Sequence, residues 1–363
     1  MNITLVRRGY SSTGGAENYL KRFAKALTEA GYHTSLLCSD NWPEAEWPYG
    51  EVVHLKASTP IRFANAVRRQ RDPDSLLFSL ERIWECDCYR AGDGVHRAWL
   101  ARRAAFEPAV KRHLRFLNRK HSGILELEES LFKRRGARQV ITNSHLVKNE
   151  IVQEFAYPEE KISVVYNGLS AARSALAPNA REQARRRWGL NQPTVLFAGS
   201  GWGRKGLRYA IQAVRGLPSV QLIVAGSGEK PSNPPKNVVF LGPIDDMSQA
   251  FLAADVFVLP TIYDPFSNAC LEALSFGLPV ITTTANGFSE IIIPGIHGET
   301  IDRPDNVDAL RAAIESWSDP EKRSQASNAC KGLAAQYPME RNVQETVQVL
   351  KQVEQKEISP RGC

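Results

Sequence analysis

Short apolar runs alternate along the chain with segments whose apolar residues recur every three or four positions. Residues 3–6, Ile-Thr-Leu-Val, read as a strand, and the apolar residues from Tyr19 to Leu27 then recur at helical spacing. A recurrence of three to four residues is typical of a helix, whereas a short unbroken apolar run is typical of a buried strand. Further strands are predicted at 35–38, 52–55, 75–80, 139–144, 161–168, 194–198, 220–225, 238–242 and 256–260. The pattern therefore predicts an α/β fold with parallel sheets.

The alternation of strands and helices starts again near the middle of the chain, which predicts two domains. At 363 residues the chain is longer than one hydrophobic core usually supports. Residues 171–180 are small and polar, as expected for a connection between domains. We predict a first domain over 1–172 and a second over 173–338, followed by a C-terminal helix over 339–355.

The composition argues against several classes of protein. The sequence contains no run of about eighteen apolar residues, so it predicts no transmembrane helix. The N-terminus reads as a strand rather than as a secretory signal. Six cysteines are scattered, and the closely spaced pair, Cys86 and Cys88, is a poor metal site without a second pair. Scattered cysteines suit a reducing compartment.

The net charge of +7 is concentrated in one segment. Residues 97–120 contain eight basic residues and a single acidic residue, Glu107. Because Trp99, Leu100 and Phe106 lie among these charges, the segment resembles an amphipathic helix on an anionic membrane surface. Two other interpretations stay open. One is a solvated basic face on an ordinary helix, and the other is a nucleic-acid groove, although the aromatic residues form no recognisable nucleic-acid motif.

The strongest chemical signal lies at residues 263–272, Tyr-Asp-Pro-Phe-Ser-Asn-Ala-Cys-Leu-Glu. This stretch follows the apolar strand 256–260 and leads into a predicted helix, an order that places helix N-terminal amides beside a bound anion. Asp264 and Glu272 add two carboxylates, which accept hydrogen bonds from sugar hydroxyls. An anion site next to a polyol site predicts a nucleotide sugar as the ligand.

A second loop, 199–206, supplies positive charge. It reads Gly-Ser-Gly-Trp-Gly-Arg-Lys-Gly between a predicted strand and a predicted helix. Its Gly-x-Gly-x-x-Gly spacing is typical of dinucleotide binding, but the acidic residue expected at the end of the next strand is missing. Arg204 and Lys205 lie side by side at the helix start, where they would neutralise a diphosphate leaving group. The sequence therefore favours phosphate neutralisation over NAD binding.

Two loops of the first domain are further candidates. The glycine-rich turn at Gly14 and Gly15 would let the backbone approach a phosphate or a sugar closely, although a tight turn alone would need the same residues. Residues 81–96 are predicted as a polar loop after a buried strand, where α/β enzymes bind their ligands. The candidate residues in that loop are Asp87, Asp93 and His96. Asp93 either faces the substrate or forms a turn in its Asp-Gly pair.

These motifs together resemble the retaining glycosyltransferases of family 4. The resemblance rests on Gly-Gly-Ala-Glu at 14–17, Thr-Asn-Ser at 142–144, Val-Tyr-Asn-Gly at 165–168 and the two carboxylates of 263–272. Asp264 replaces the first glutamate of the family's paired-glutamate signature. Lys205 falls on the family lysine, and Ser200 stands where the family has arginine. The resemblance implies the GT-B fold, two Rossmann-like doubly wound domains facing across a cleft, with the last helix packed back on the first domain.

The resemblance also implies a reaction, the transfer of a hexose from a UDP-sugar with retention and with neither a metal ion nor a cofactor. Loop 199–206, the turn at 91–93 and the basic segment are similar to those of family members that glucosylate the inner-core heptose of lipopolysaccharide. The implied partners are a UDP-hexose, a lipopolysaccharide core acceptor and the cytoplasmic face of the inner membrane, without nucleic acid. Another lipid-linked or capsular acceptor, and a non-catalytic protein that binds polyanions or membrane surfaces, are the alternatives.

The predicted site residues fall into three groups. The catalytic group is Asp93, Arg204, Lys205 and Asp264. The donor-binding group is Gly14, Gly15, Gly199, Ser200, Phe266, Ser267, Asn268 and Glu272. The group for membrane or acceptor contact is Arg97, Arg102, Arg103, Lys111, Arg112 and Arg115. No metal ligands are predicted.

Overall fold

Two units, each built on a parallel sheet, make up the described part of the chain. The structure is a computed structural model that describes residues 2–10, 15–107, 119–169 and 179–358. The first unit contains the described residues up to 169 together with the C-terminal helix, and the second contains residues 179–338. The predicted fold class, two Rossmann-like α/β domains, is confirmed.

The strands of each unit pair in parallel. Those of the first unit are β1 (Asn2–Arg7), β2 (His33–Ser39), β3 (Glu51–Leu55), β4 (Leu76–Ser79), β5 (Cys86–Arg90), β6 (Ala137–Thr142) and β7 (Ile162–Val164). Those of the second are β8 (Thr194–Ala198), β9 (Gln221–Ala225), β10 (Val238–Gly242), β11 (Val256–Leu259), β12 (Val280–Thr283) and β13 (Gly298–Ile301). Among the described residues, the sheet orders are β3-β2-β1-β4-β5-β6-β7 and β10-β9-β8-β11-β12-β13.

Helices connect and cover these strands. They are α1 (Gly15–Glu29), α2 (Pro60–Arg69), α3 (His96–Ala104), α4 (Arg119–Glu128), α5 (His145–Phe155), α6 (Ala180–Arg187), α7 (Trp202–Lys205), α8 (Leu207–Arg215), α9 (Met247–Ala253), α10 (Asn268–Ser275), α11 (Val307–Trp317), α12 (Pro320–Ala335) and α13 (Met339–Ile358). A π-helical turn, Glu129–Lys133, extends α4. Short 3₁₀ turns lie at Glu44–Glu46, Glu159–Lys161 and Gly287–Glu290.

Helices cover both faces of a parallel sheet, so its central strands are nearly continuous apolar runs. The sequence predicts these strands for that reason. All five residues of β8 and all four of β11 are buried. Several helices, among them α2, α5, α9, α11 and α12, start where a side chain accepts an amide hydrogen. In α5, for example, Ser144 Oγ accepts from Val147 N at 3.3 Å.

Each sheet reverses its strand order once, between β1 and β4 in the first unit and between β8 and β11 in the second. At such a switch point the loops leave neighbouring strands toward opposite faces of the sheet, which opens a crevice at the carboxyl ends of the strands. The end of β1, the loop after β8 and the loop after β11 all lie at these positions. Ligand-binding residues are therefore expected there.

The prediction of a loop throughout 81–96 is wrong, because that range contains β5. All five β5 side chains are buried, and the strand pairs with β4 and β6. Asp87 is 3% exposed and accepts hydrogen bonds from Arg71 and Arg138. Its carboxylate also accepts from Leu77 N at 2.8 Å. Asp87 is therefore part of the interior of the sheet, where two arginines offset its charge.

The C-terminal helix α13 belongs to the first unit. Met339 N donates to Leu169 O at 2.8 Å, and Asn342 Oδ1 accepts from the hydroxyl of Tyr19 at 3.0 Å. Leu350 of the same helix is fully buried. Most of the predicted connection at 171–180 lies outside the described residues. The predicted strand at 161–168 is shorter in the structure, where β7 ends at Val164.

Candidate active site

In the second unit, two loops meet at the switch point of the sheet. Because β8 and β11 pair in parallel, the loops that follow them start side by side. The first loop carries Arg204 and Lys205, and the second carries Asp264. Arg204 O accepts hydrogen bonds from Ile262 N at 2.9 Å and from Thr261 Oγ1 at 3.0 Å. These bonds hold the two loops together independently of the charged side chains.

Two cations face the carboxylate of Asp264. Lys205 Nζ lies 3.2 Å from Asp264 Oδ2, and Arg204 Nη1 lies 3.8 Å from the same oxygen. Arg204 Nη1 also donates to Tyr263 O at 2.9 Å. The side chains of Lys205 and Asp264 are 12% and 8% exposed. One excess positive charge thus lies at the carboxyl edge of the sheet, where it can attract an anionic ligand.

The electrostatic surroundings keep Asp264 ionised. Burial by itself would raise its pKa, but the attraction of Lys205 and, second, of Arg204 lowers the pKa below its ordinary value. A hydrogen bond from Lys205 and one from the Phe266 backbone act in the same direction. At neutral pH, Asp264 is therefore an acceptor of hydrogen bonds and not a proton donor.

Two glycines determine where Lys205 lies. Gly206 has a φ of 80°, and a Cβ built on it would lie 1.8 Å from Pro260 O, so a larger residue cannot pack here against the end of β11. A Cβ on Gly199 would lie 2.8 Å from Cε of Lys205, because the lysine side chain crosses the Gly199 backbone. The middle glycine of the dinucleotide-like spacing, Gly203, has open space around it. Gly199 and Gly206 therefore serve the placement of the lysine, whereas Gly203 does not.

The start of α10 is fixed by a buried asparagine. Asn286 is fully buried, and its Oδ1 accepts a hydrogen bond from Ser267 N at 3.2 Å. Phe266 and Ser267 are buried, whereas Asn268 and Glu272 are half-buried and lie one helical turn apart. Ser200, in the other loop, is exposed. Of the two predicted carboxylates, Asp264 is thus held by cations. Glu272 lies on the first turns of α10, the helix whose start is anchored by Asn286.

In the first unit, Asp93 lies in the turn between β5 and α3. Its side chain is 45% exposed, and its Oδ2 accepts from Arg7 Nη1 at 3.1 Å. Arg7 is the last residue of β1, and its Nε donates to Glu17 Oε1 of α1 at 3.0 Å. Neither Arg7 nor Glu17 was predicted as a site residue, since Arg7 and Asp93 are 86 positions apart. Helix α1 begins at Gly15, and Gly14 lies outside the described residues.

A buried ion pair fixes the backbone that carries Asp93. Glu128 is fully buried, and its Oε1 accepts from Arg82 Nε at 2.9 Å and from His96 N at 2.6 Å. Its Oε2 accepts from Arg97 N at 3.1 Å, so the carboxylate of Glu128, a residue of α4, caps the start of α3. Arg82 Nη2 in turn donates to Gly94 O at 2.7 Å. The Arg82–Glu128 pair therefore holds both ends of the segment from Gly94 to Arg97, which directly follows Asp93.

Comparison with known protein families identifies the chain. Residues 13–173 match the model described as Glycosyltransferase Family 4, and residues 192–319 match the model described as Glycosyl transferases group 1. The chain belongs to the family 4 glycosyltransferases. Asp93 falls within the first match, and Lys205 and Asp264 fall within the second.

Three known proteins are similar to this glycosyltransferase over much of its length. It is 22% identical over 349 residues to lipopolysaccharide glucosyltransferase WaaG of Escherichia coli (strain K12), covering 88% of this chain and 91% of that protein. It is 26% identical over 360 residues to D-inositol 3-phosphate glycosyltransferase of Pseudarthrobacter chlorophenolicus, covering 87% and 84%. It is 30% identical over 235 residues to an uncharacterized glycosyltransferase of Methanocaldococcus jannaschii, covering 59% of this chain and 60% of that protein.

Solved structures agree on the fold. The crystal structure of WaaG matches 96% of this glycosyltransferase and 99% of its own chain, with a TM-score of 0.78 at 18% identity. The structure of HepE of Anabaena in complex with UDP-glucose matches 98% and 99%, with a TM-score of 0.74 at 17% identity. At these identities the likeness establishes the GT-B fold and does not identify the substrates.

The basic segment of this glycosyltransferase forms internal ion pairs where it is described. Helix α3 ends at Ala104, and residues 108–118, with Lys111, Arg112 and Arg115, lie outside the described residues. The observed pairs are Arg97 with Glu129, Arg102 with Glu150, and Arg103 with Glu107. Each of these arginines is still about a third exposed. In the part of the chain that the structure describes, no helix is both long and apolar enough to cross a bilayer.

Proposed function

We propose that this glycosyltransferase moves glucose from UDP-glucose to a heptose of the lipopolysaccharide inner core, with retention and without a bound metal ion. The observation that carries the proposal is the arrangement of Lys205 and Arg204 around Asp264 at the switch point of the second unit. Two relatives support the choice of substrates. WaaG is a lipopolysaccharide glucosyltransferase that matches most of this chain, and HepE binds UDP-glucose.

In this proposal the second unit binds the donor. Lys205 and Arg204 stabilise the negative charge that develops on the departing diphosphate, as preorganised cations do in a largely buried site. Asp264 accepts a hydrogen bond from the donor sugar, and Glu272 accepts from the ribose hydroxyls. The positive charge that a metal ion supplies in other transferases comes here from the two side chains, so we expect transfer without added metal.

The first unit binds the acceptor. Asp93 is partly exposed and held by Arg7, so its carboxylate can accept a hydrogen bond from the attacking hydroxyl or take its proton. The D-inositol 3-phosphate glycosyltransferase relative gives the second acceptor class to test, a phosphorylated polyol. The two classes differ in size and in charge, so a single panel can distinguish them.

The test is a transfer assay with the purified full-length protein. UDP-glucose, UDP-galactose and UDP-N-acetylglucosamine are each offered with a heptose-bearing lipopolysaccharide core and with inositol phosphate. We expect one added hexose by mass spectrometry with UDP-glucose and the heptose acceptor, an α-linkage by NMR, and the same rate with EDTA. Transfer with another donor or only to inositol phosphate would correct the substrates, loss of transfer in EDTA would contradict metal independence, and a β-linkage would contradict retention.

We also propose that the basic segment contacts the anionic cytoplasmic face of the inner membrane, where a lipid-linked acceptor is presented. The segment places three further basic residues at 111, 112 and 115, beyond the arginines that form internal pairs. Each basic residue near an anionic leaflet contributes about 1 kcal/mol. Several such contacts hold a protein on a surface reversibly.

Replacing Lys111, Arg112 and Arg115 with serine should weaken binding to phosphatidylglycerol vesicles by about two orders of magnitude, at about 1 kcal/mol for each lost charge. The measurement is vesicle co-sedimentation, with UDP affinity expected to stay at the wild-type value. The matched control replaces three exposed arginines of the second unit, Arg186, Arg187 and Arg215. Equal losses in both triple variants would mean that net charge, and not this segment, governs binding.

A further inference from the structure

Arg7 uses all three of its guanidinium nitrogens. Nε and Nη2 bind Glu17 Oε1 at 3.0 and 2.9 Å, and Nη1 binds Asp93 Oδ2 at 3.1 Å. Nη1 also lies 3.4 Å from Leu80 O at the end of β4. The arginine therefore spans the switch point of the first sheet, from β1 to β4, and reaches the turn after β5.

The two carboxylates that bind Arg7 differ in their surroundings. The side chain of Glu17 is 8% exposed, whereas that of Asp93 is 45% exposed. Glu17 alone would neutralise the arginine, and the backbone around Asp93 is already held by Glu128 and Arg82. Because the Asp93 carboxylate is half-exposed, water competes for it and the pair contributes little to stability. The contact from Arg7 to Asp93 is therefore not needed for the fold, and its effect is to orient an accessible carboxylate at the ligand-binding edge.

We propose that Arg7 is the positioning residue of Asp93. Glu17 anchors the guanidinium, and the guanidinium holds the Asp93 carboxylate in one orientation toward the acceptor hydroxyl. The inference rests on the proposed function, in which Asp93 contacts the acceptor. Because Arg7 acts through Asp93, its removal should impair the use of acceptor and leave UDP binding as it is, since the proposed function assigns the diphosphate to Lys205 and Arg204 of the second unit.

The test is a double-mutant cycle of Arg7→Ala and Asp93→Asn. A misoriented catalytic group typically costs about 100-fold in rate, so we expect Arg7→Ala to lower kcat/KM for the acceptor by that factor. In the Asp93→Asn background the same substitution should change kcat/KM by less than about threefold, because coupled residues are not additive. UDP affinity by calorimetry should stay at the wild-type value. Guanidinium ion should restore part of the activity of Arg7→Ala.

Two further variants keep the outcome interpretable. Arg7→Lys retains the charge without the fork of donors, so it should fold like the wild type and still lose acceptor kcat/KM. Arg68→Ala removes an exposed arginine paired with Glu85 in the same unit and should change nothing. An active wild type whose Arg7 variants match it, or an equal loss in the Asp93→Asn background, would overturn the inference. A wild type that transfers to no acceptor would instead overturn the proposed function.

Discussion

Replacing Lys205 with alanine should lower the rate of sugar transfer by about 10²- to 10³-fold, the usual effect of removing one preorganised group that stabilises developing charge. The Lys205 side chain is 12% exposed and its Nζ lies 3.2 Å from Asp264 Oδ2, so little water is available to replace it. After its loss, Arg204 still faces Asp264, at 3.8 Å. In the proposed mechanism, the departing diphosphate then meets less positive charge in the transition state, where its own negative charge develops. Steady-state kinetics with UDP-glucose measure the effect.

The matched control is Lys236→Ala, which removes an exposed lysine of the second unit and should leave both transfer and UDP affinity at wild-type values. Calorimetry with UDP should give weaker binding for Lys205→Ala, and NAD should bind to neither protein. Near-normal turnover of Lys205→Ala would refute the assignment of the diphosphate to this lysine. NAD binding would instead restore the dinucleotide interpretation of the glycine spacing.

The two sheets could be predicted because their central strands are buried on both faces. Residues 194–198 were predicted as a strand, and the structure has the fully buried β8 with the same bounds. Strand β5 was missed because its sequence, Cys-Asp-Cys-Tyr-Arg, has two charged residues among five and so lacks the unbroken apolar run that is typical of a buried strand. Asp87 is compatible with a central strand only because Arg71 and Arg138 offset its charge. Such compensation depends on tertiary structure, which a local pattern does not contain.

The two parts of the candidate site differ in the same way: a local sequence pattern indicates one of them, and only tertiary contacts reveal the other. Arg204, Lys205 and Asp264 lie on loops with recognisable spacing, and the structure brings them together. Arg7 and Glu128 have no such signature. Arg7 is the last residue of a largely apolar strand, and Glu128 is the last residue of α4. Their importance comes from partners that are 86 and 46 positions away, and no sequence spacing indicates those contacts.

Replacing Glu128 with alanine should lower the free energy of unfolding by about 3–5 kcal/mol, the usual effect of removing one partner of a buried ion pair. Arg82 would keep a buried charge without its carboxylate, since it is 8% exposed. The amides of His96 and Arg97 would also lose their acceptor. The N-cap residue Val95 has no side-chain acceptor that could replace it. Urea denaturation of the full-length protein measures the loss, with the exposed Glu182→Gln as the matched control.

A second variant separates stability from placement of the site. Replacing Arg82 with methionine and Glu128 with leucine together removes both charges, and well-packed apolar residues often restore the stability that a broken buried pair loses. The double variant would still lack the bond from Arg82 to Gly94 O and the cap of α3, so Asp93 would be less firmly placed. We therefore expect near-wild-type unfolding together with a reduced kcat/KM for the acceptor. Full activity in a stable double variant would mean that this pair serves the fold alone.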